Sequence, residues 1–378
     1  MGWKLHERIE GLKTVTKAYD LTSQRSDNFF NFLTSKRKHT SALLKKEIKN
    51  MKYLNILLLL LIISCGNAKK TTTQATAEEE KTVAPAFSAD SAFLFCSMQC
   101  SFGPRTMNSE AHDKCEDWIA GKFEQYGMEV MRQKATLKLF DGTPVKATNI
   151  IASYRPEATE RLLLCAHWDS RPWADNDPDS SNWRKPVIAA NDGASGVAVL
   201  IEIARQISLG DSLAMGIDFI CFDAEDSGIP QWSEQVETEN NWALGSAYWA
   251  KNLHKEGYKA RFGILLDMVG GQGAKFYKEG FSQQYASPIV EKVWTAASKC
   301  GFGSFFPNAD GGYITDDHVA VNETAGIPTV DIIPYYPDCP TSNFGPTWHT
   351  VNDDMDHIDR NTLEAVGKTV MHVICNER

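Results

Sequence analysis

Acidic and imidazole side chains recur directly after apolar, strand-like runs in this sequence. LLLCAHWD carries His167 and Asp169 at its end, FICFDAED carries Glu225 and Asp226, and FGILLD ends in Asp267. In α/β sheets, polar residues beyond the C-terminal ends of the strands gather at one edge of the sheet. The sequence therefore predicts a cluster of carboxylates and imidazoles at that edge.

Asp192 lies between small residues and the first turn of a predicted helix. It belongs to IAANDGASGVAVLIEIAR, residues 188–205, in which apolar side chains recur at helical spacing after GASG. An Asp at this position can simply cap the helix. Two later segments add to the set of acids and imidazoles, since ITDDH contains Asp316 and TWHT contains His349.

Such a dense group of carboxylates indicates a bound cation. Each residue taken alone has an ordinary explanation, because an Asp after a strand is often a turn residue and a lone His is often structural. Together, however, the carboxylates would repel one another and raise each other's pKa unless a cation neutralised them. Mixed carboxylate and imidazole ligands are typical of zinc. The sequence contains no CxxC pair, which disfavours an all-cysteine site.

The elements that must position these residues alternate along the chain. The predicted strands lie at 147–154, 161–166, 216–222, 262–268 and 326–333. The predicted helices lie at 110–126, after Asp192, and at 242–254, 287–299 and 362–374. Alternation of strands and helices is typical of an α/β fold, here a three-layer α/β/α sandwich with a central mixed, largely parallel sheet.

Composition bounds the class of protein. The 378 residues are 43% hydrophobic, which is enough for a substantial core. The net charge is −9, and basic residues concentrate in the first 64 positions, so the remainder is strongly acidic. An acidic body excludes a nucleic-acid partner, which requires a basic surface.

The N-terminal segments predict export. MKYLNILLLLLIISC has a basic residue before an apolar run too short to span a bilayer, and it resembles a bacterial lipoprotein signal at 51–64 with Cys65 as the lipidated residue. We therefore expect a periplasm-facing lipoprotein of the bacterial cell envelope, with the lipid as its one membrane attachment. Residues 1–50 are then a non-native upstream extension, or else a genuine basic extension. The alternative for the apolar run is a buried helix or an uncleaved anchor.

Two further segments complete the predicted domain organisation. Residues 65–87 are polar, small and rich in Thr, which predicts a disordered tether. Residues 88–378 form the predicted catalytic domain. Near its start, Cys96, Cys100 and Cys115 are candidates for disulfides in an oxidising compartment, whereas Cys165 and Cys221 lie in apolar strands and are expected to be buried thiols.

The order of these motifs resembles the zinc aminopeptidase superfamily and, within it, the glutaminyl cyclases of animals and bacteria. The resemblance covers about residues 96–375. The motifs that carry it are FGPR at Phe102, CAHWDS, CFDAED, LLDMVGG, DDH and WHT, together with the pair Asn191-Asp192. The Trp348 that directly precedes His349 is typical of the cyclases, and Trp232 falls where cyclases carry a Trp that lines the substrate site.

The resemblance implies a role for each matching residue. One zinc per chain would be held by Asp192, Asp226 and His349. The implied catalytic residues are Glu225 as general acid and base, with Asp267 and Asp316 orienting the substrate and the proton transfer. The implied substrate wall consists of Trp232 and Trp348. The chain departs from the animal cyclases at Asp226, where they have the longer Glu.

The implied function is the conversion of the N-terminal glutamine of peptides or proteins to pyroglutamate with release of ammonia, by a monomer. One alternative is a two-zinc aminopeptidase, because His167 and Asp267 match the ligands of a second metal that Asp192 would bridge. A remote alternative is a non-catalytic binding module. Such a relative would have lost some ligands, and this chain has lost none of those matched.

Overall fold

A computed structural model describes residues 86–210, 213–234 and 241–377. The predicted upstream extension, the lipoprotein signal with Cys65, and the tether up to residue 85 lie outside the described residues. Within them, no helix is both long and apolar enough to cross a bilayer.

Seven α-helices and six strands are described. The helices are α1 (Ala89–Ser101), α2 (Glu110–Gln125), α3 (Ala194–Leu209), α4 (Leu244–Lys251), α5 (Gly280–Lys299), α6 (Asp317–Glu323) and α7 (Arg360–Cys375). The strands are β1 (Glu129–Lys138), β2 (Pro144–Tyr154), β3 (Arg161–His167), β4 (Gly216–Phe222), β5 (Gly263–Leu266) and β6 (Thr329–Ile332). A single 3₁₀ turn covers Met355–His357.

The strands form one sheet in the order β1-β2-β4-β3-β5-β6. The four strands β4, β3, β5 and β6 run parallel to one another. The two strands β1 and β2 form an antiparallel hairpin, and β2 pairs antiparallel with β4. The sheet is therefore mixed and largely parallel, as predicted.

Both faces of the sheet are covered, which explains the continuous apolar runs in its strands. In β3, Leu162 and Leu164 pack into a core with residues of α1, α2, α3, α5 and α7. The intervening Leu163 and Cys165 pack on the other face, with Trp249 of α4 and residues of α6. Because strand side chains alternate between faces, both sets must be apolar, and the predicted three-layer sandwich is confirmed.

Three elements of the structure, β1, α1 and α6, were not predicted from the sequence. Strand β1 has a largely polar sequence with alternating exposed and half-buried residues, as expected of an edge strand held by its long register with β2. The hydrophobic residues of α1 show almost no preference for one side of the helix. Helix α6 has seven residues, too few for a clear period. Tertiary packing rather than local pattern determines all three.

The described cysteines are free thiols. Cys165 and Cys221 are buried within strands, as predicted. The disulfide candidates near the domain's start are not paired, and Cys96 instead donates a hydrogen bond from Sγ to the carbonyl oxygen of Ala190 at 3.1 Å. That contact ties α1 to the loop that carries Asp192.

Candidate active site

The sheet brings the predicted acids and imidazoles together at one edge. His167 is the last residue of β3, and Asp267 directly follows β5, its parallel neighbour. Glu225 and Asp226 follow β4, which pairs with β3 on the other side. Asp192 lies just before α3, whose N-terminus begins above the same edge. The convergence predicted from the strand ends is therefore present.

Asp192 is the centre of this group because its two carboxylate oxygens face different histidines. Its Oδ1 lies 3.0 Å from Nε2 of His167, which is also 3.2 Å from Oδ1 of Asp267. Its Oδ2 lies 3.5 Å from Nε2 of His349, which is 3.0 Å from Oδ1 of Asp226. Two buried triads thus share Asp192, and in each the potential ligand atoms lie within 4.8 Å of one another.

Two glycines allow α3 to begin this close to the strands. Gly193 has φ of +125°, and a Cβ there would lie 2.7 Å from the imidazole of His167. A Cβ on Gly196 would lie 2.2 Å from the carbonyl oxygen of Leu266. Both distances are far below van der Waals contact, so only glycine fits. The small residues after Asp192 therefore have a steric role at the site.

The acids strongly perturb one another, and a bound cation would relieve them. Burial, and then the charge of Asp192, raises the pKa of Asp226 to about 6. Burial raises the pKa of Asp267 to about 7, with hydrogen bonding to His167 opposing the rise. Oδ2 of Asp226 is buried and has no hydrogen-bond partner among the described residues. A buried carboxylate oxygen needs a partner, so the triad of Asp192, Asp226 and His349 fits a zinc ion in donor type and spacing.

His349 is oriented by residues that the sequence analysis missed. Its Nδ1 lies 3.4 Å from Oδ1 of Asp175, and the guanidinium of Arg171 donates to both oxygens of Asp175 at 3.1 and 2.6 Å. Hydrogen bonding to His349 and to Arg171 holds the pKa of Asp175 well below its usual range, although burial opposes this. A carboxylate behind a metal-binding imidazole fixes its orientation and tautomer. His349 also has φ of +54°, a strained conformation for a non-glycine residue.

Backbone hydrogen bonds fix the other ligands. Asp169 accepts from the N–H groups of Glu225 and Asp226 at 3.0 and 3.2 Å. Asp353 accepts from the N–H groups of Asn191 and Asp192 at 2.7 and 3.0 Å. Asp353 was not a candidate in the sequence, because its partners lie more than 160 residues away along the chain.

The FGPR motif has a structural role at the same edge. The side chain of Arg105 is fully buried and donates to the carbonyl oxygens of Trp168, Ile188 and Ala189 at 3.0, 2.8 and 2.8 Å. It therefore fastens the loop after β3 to the loop before Asp192.

A cavity of about 240 Å³ opens above the shared carboxylate. Its acidic wall contains the predicted catalytic residues Glu225, Asp267 and Asp316 together with the ligands of the Asp226 triad. Its apolar wall consists of Trp242, Met268, Ile314, Ile333, Phe344 and Trp348. The ring of Trp348 stacks on His349 with centroids 3.7 Å apart. Trp348 therefore lines the cavity, and its predicted contact with the substrate stays a prediction.

Trp232 is not among the residues that line this cavity, and its predicted contact with the substrate stays a prediction. Its ring instead stacks on Trp183 at 6.4 Å and meets Trp173 edge-on at 5.9 Å. The cavity position belongs to Trp242, whose ring stacks on His349 from 6.0 Å. Trp242 reaches this place across Gly228, where a Cβ would lie 2.2 Å from the indole. Both Trp residues follow β4, so spacing from Asp226 could not distinguish them.

Glu225 is the acid best suited to proton transfer. It is half-buried, lines the cavity and lies next to the ligand Asp226. Burial raises the pKa of Glu225 well above its usual range, and the charges of Asp226 and Asp316 raise it further. A carboxyl group with a raised pKa can both take up and release a proton near neutral pH. Its predicted role as general acid and base stays a prediction.

The family model for peptidase family M28 matches residues 149–374. Aminopeptidase YwaD of Bacillus subtilis is 30% identical over 67% of this chain and 50% of its own. The glutaminyl-peptide cyclotransferase of Bos taurus is 25% identical over 58% of this chain and 63% of its own. This chain thus spans between half and two thirds of the length of these curated relatives.

Solved structures match over their full length. Glutaminyl cyclase of Bacteroides thetaiotaomicron, bound to N-acetylhistamine, is 52% identical with a TM-score of 0.77, covering 78% of this chain and 100% of its own. Glutaminyl cyclase of Tannerella forsythia is 52% identical with a TM-score of 0.76 and the same coverage. A Zn-dependent exopeptidase of Parabacteroides distasonis is 49% identical, covers 78% and 100% of the two chains and has a TM-score of 0.76.

Proposed function

The chain belongs to peptidase family M28, and we propose that it is a zinc-dependent glutaminyl-peptide cyclotransferase, which converts the N-terminal glutamine of peptides to pyroglutamate and releases ammonia. The observation that carries the proposal is one small cavity. It combines a zinc-compatible triad, three further acids and an aromatic wall. The similarity to glutaminyl cyclases at 52% identity over their whole length supports it.

Zinc held by Asp192, Asp226 and His349 would supply Lewis-acid polarisation of the substrate's side-chain carbonyl. Glu225 takes a proton from the substrate's α-amine as that nitrogen forms a bond to the side-chain carbonyl carbon. It then donates this proton to the side-chain nitrogen, which leaves as ammonia when its bond to that carbon breaks. Proton transfer of this kind contributes roughly 10²- to 10⁴-fold to a rate.

The remaining wall residues hold the substrate in a folded conformation. Asp267 and Asp316 face the cavity, where they can accept hydrogen bonds from the substrate's amine and amide. Trp242 and Trp348 present apolar rings to the glutamine side chain and exclude water. Ring closure is intramolecular, so a site that fixes the attacking amine near the carbonyl removes much of the entropic barrier.

We propose that one zinc ion binds per chain. In the triad of His167, Asp192 and Asp267, an N–H of His167 can satisfy both neighbouring carboxylates. In the other triad, Oδ2 of Asp226 has no hydrogen-bond partner among the described residues. The need for a cation is therefore greater in the triad of Asp226.

A two-zinc aminopeptidase is the second candidate. Asp192 directs one oxygen to each triad, which is the arrangement a bridging ligand needs. Two zinc ions held by these two triads would supply an activated water for hydrolysis of the peptide bond. Aminopeptidase YwaD is 30% identical to this chain, but the Zn-dependent exopeptidase is 49% identical, close to the 52% of the bacterial cyclases, so identity alone does not separate the two candidates.

Product analysis separates the two candidates. A Gln-Ala peptide incubated with the enzyme should remain one molecule and become lighter by one ammonia. Free glutamine and alanine as the products would establish the aminopeptidase instead.

We further propose that the protein acts as a monomer on exported peptides and that a lipid on Cys65 holds it in the cell envelope. The short apolar run before Ser64 and Cys65 supports the anchor. The polar stretch that follows would let the domain reach substrates away from the membrane.

A further inference from the structure

Glu279, the residue directly before α5, is a buried acid outside the cavity, with 1% of its surface exposed. Its Oε1 accepts hydrogen bonds from the backbone N–H groups of Phe281 and Ile314 at 2.8 and 3.0 Å. Its Oε2 accepts from the N–H and the hydroxyl of Ser282 at 2.6 and 2.8 Å, and lies 3.0 Å from Nε2 of His318. Both oxygens of this carboxylate are therefore fully used.

Two of these partners lie on either side of Asp316. Ile314 comes two residues before it and lines the cavity, whereas His318 comes two residues after it on α6. The contacts to Phe281 and Ser282 are those of an ordinary helix N-cap. The contacts to Ile314 and His318 are not explained by capping, because they belong to another part of the chain.

The loop that leads to Asp316 has few other attachments to α5. Gly311 donates to the carbonyl of Lys278 at 2.8 Å, and Gly280 donates to the carbonyl of Gly312 at 2.9 Å. The ring of Tyr313 lies over Gly280, where a Cβ would approach it to 2.6 Å, and remains 69% exposed. These contacts place the start of the loop, and the carboxylate of Glu279 fixes the part next to Asp316.

We propose that Glu279 is a positioning residue for the reaction, which acts through Ile314 and His318 to hold Asp316 and the adjoining cavity wall in place. The inference rests on the proposed function, because it assumes that Asp316 contacts the substrate. Loss of Glu279 would leave the zinc triad and Glu225 intact, because neither touches it.

The charge of Glu279 strengthens this role. Burial alone would raise its pKa, but hydrogen bonding to His318 and to backbone N–H groups lowers the pKa to about 2. The group is thus ionised at any working pH, and charge-assisted hydrogen bonds are stronger than neutral ones. A glutamine in its place has one acceptor oxygen, and its amide N–H groups would face the donors on the other side.

The test is the Glu279→Gln variant of the full protein, assayed on a Gln-Ala peptide. We expect kcat to fall about 10- to 100-fold, because a small displacement of a substrate-positioning group has an effect of that size. KM should change less than about threefold, since Trp242 and Trp348 have no contact with Glu279, and the zinc content should stay the same, since no ligand is changed. The matched control is Glu291→Gln on α5, where an exposed Glu pairs with Lys278, and its kinetics should match the wild type.

A second background separates positioning from general stability. In Asp316→Asn, the Glu279→Gln change should lower kcat by less than about twofold, because there is no longer a carboxylate to position. An equal loss in both backgrounds, an unchanged kcat, or a rise in KM alone would overturn the proposal. A wild type that fails to cyclise the peptide would instead refute the proposed function.

His318 provides an independent variant if Glu279→Gln does not fold or if Asp316→Asn leaves no measurable rate. His318→Ala removes one side of the contact and should also lower kcat about 10-fold or more. His318→Gln keeps an N–H donor. Its log kcat should therefore recover at least half of the decrease that His318→Ala causes. Equal kcat values for these two variants would contradict the proposal.

Discussion

The two carboxylate oxygens of Asp192 face two different histidines. The main chemical question about the individual residues is therefore how many metal ions they bind. A single N–H of His167 can donate hydrogen bonds both to Oδ1 of Asp192 and to Oδ1 of Asp267. The other oxygen faces His349 beside Asp226, whose Oδ2 has no hydrogen-bond partner among the described residues. Of the two triads that share Asp192, the one with His349 therefore has the greater need for a cation.

His349→Ala should remove zinc and activity together. Two carboxylates would remain in the triad, and a zinc site rarely keeps its ion with two protein ligands. Metal analysis of purified protein should show about one zinc per chain in the wild type and almost none in the variant. His357→Ala is the control, because this half-exposed histidine pairs with Asp354 away from the triads. Full zinc content in His349→Ala would contradict the ligand assignment.

Glu225→Gln should stop turnover while zinc stays bound. The change removes the proton carrier, which is worth about 10²- to 10⁴-fold in kcat, and it removes no ligand. Glu110→Gln, at an exposed position of α2, serves as the control. Near-normal kcat in Glu225→Gln would remove this residue from the mechanism.

The sequence predicted the residues that follow strands better than those in loops. His167 ends β3, Asp267 directly follows β5 and Asp226 lies four residues after β4, so their convergence follows from a parallel sheet. Asp175 and Trp242 lie in long loops, whose paths depend on contacts such as that of Arg171 with the carbonyl of Gly228. No local pattern encodes such a contact, which is why the sequence did not identify Trp242 as a cavity residue.

At the scale of elements, the site depends on how closely the start of α3 approaches the ends of β3 and β5. The GASG segment permits that approach, and the helical spacing of the apolar residues in α3 predicted the helix from the sequence. The polar strand β1 could not be predicted from the sequence, because it is held by pairing with β2 rather than by its own side chains. Fully buried strands were predictable, including the edge strand β6, whereas the polar edge strand β1 was not.

Gly196→Ala should destabilise the protein. Its Cβ would lie 2.2 Å from the carbonyl oxygen of Leu266 and 2.9 Å from Cβ of Ala166, in a region with no free space. We expect the free energy of unfolding in urea to fall by about 1 to 3 kcal/mol, with reduced zinc affinity because Asp192 is displaced.

Gly121→Ala is the matched control for that change. Gly121 lies in the middle of α2, and a Cβ there would meet nothing within 4 Å. Alanine is favoured over glycine in a helix interior by about 0.5 to 1 kcal/mol, so the control should be slightly more stable than the wild type. If both variants lost the same stability, the close approach at Gly196 would not be the cause.

At the scale of the whole molecule, the sequence predicts a catalytic domain on a lipid-anchored tether. The mature protein should begin at Cys65, carry a lipid there and appear in the membrane fraction. Cys65→Ser should abolish the lipid and release the protein from membranes. Mass spectrometry of the N-terminal peptide identifies the first residue and its lipid, and membrane fractionation measures the attachment. A mature wild-type protein that is unlipidated and begins at another residue would contradict the anchor.

The central claim is that the substrate's own amine, and not water, attacks the carbonyl. Incubation of a Gln-Ala peptide with the enzyme in water enriched in oxygen-18 tests this directly. We predict an intact peptide that has lost one ammonia and carries no label, because neither bond that changes involves water. Free glutamine with oxygen-18 in its carboxylate would instead show hydrolysis of the peptide bond and contradict the account.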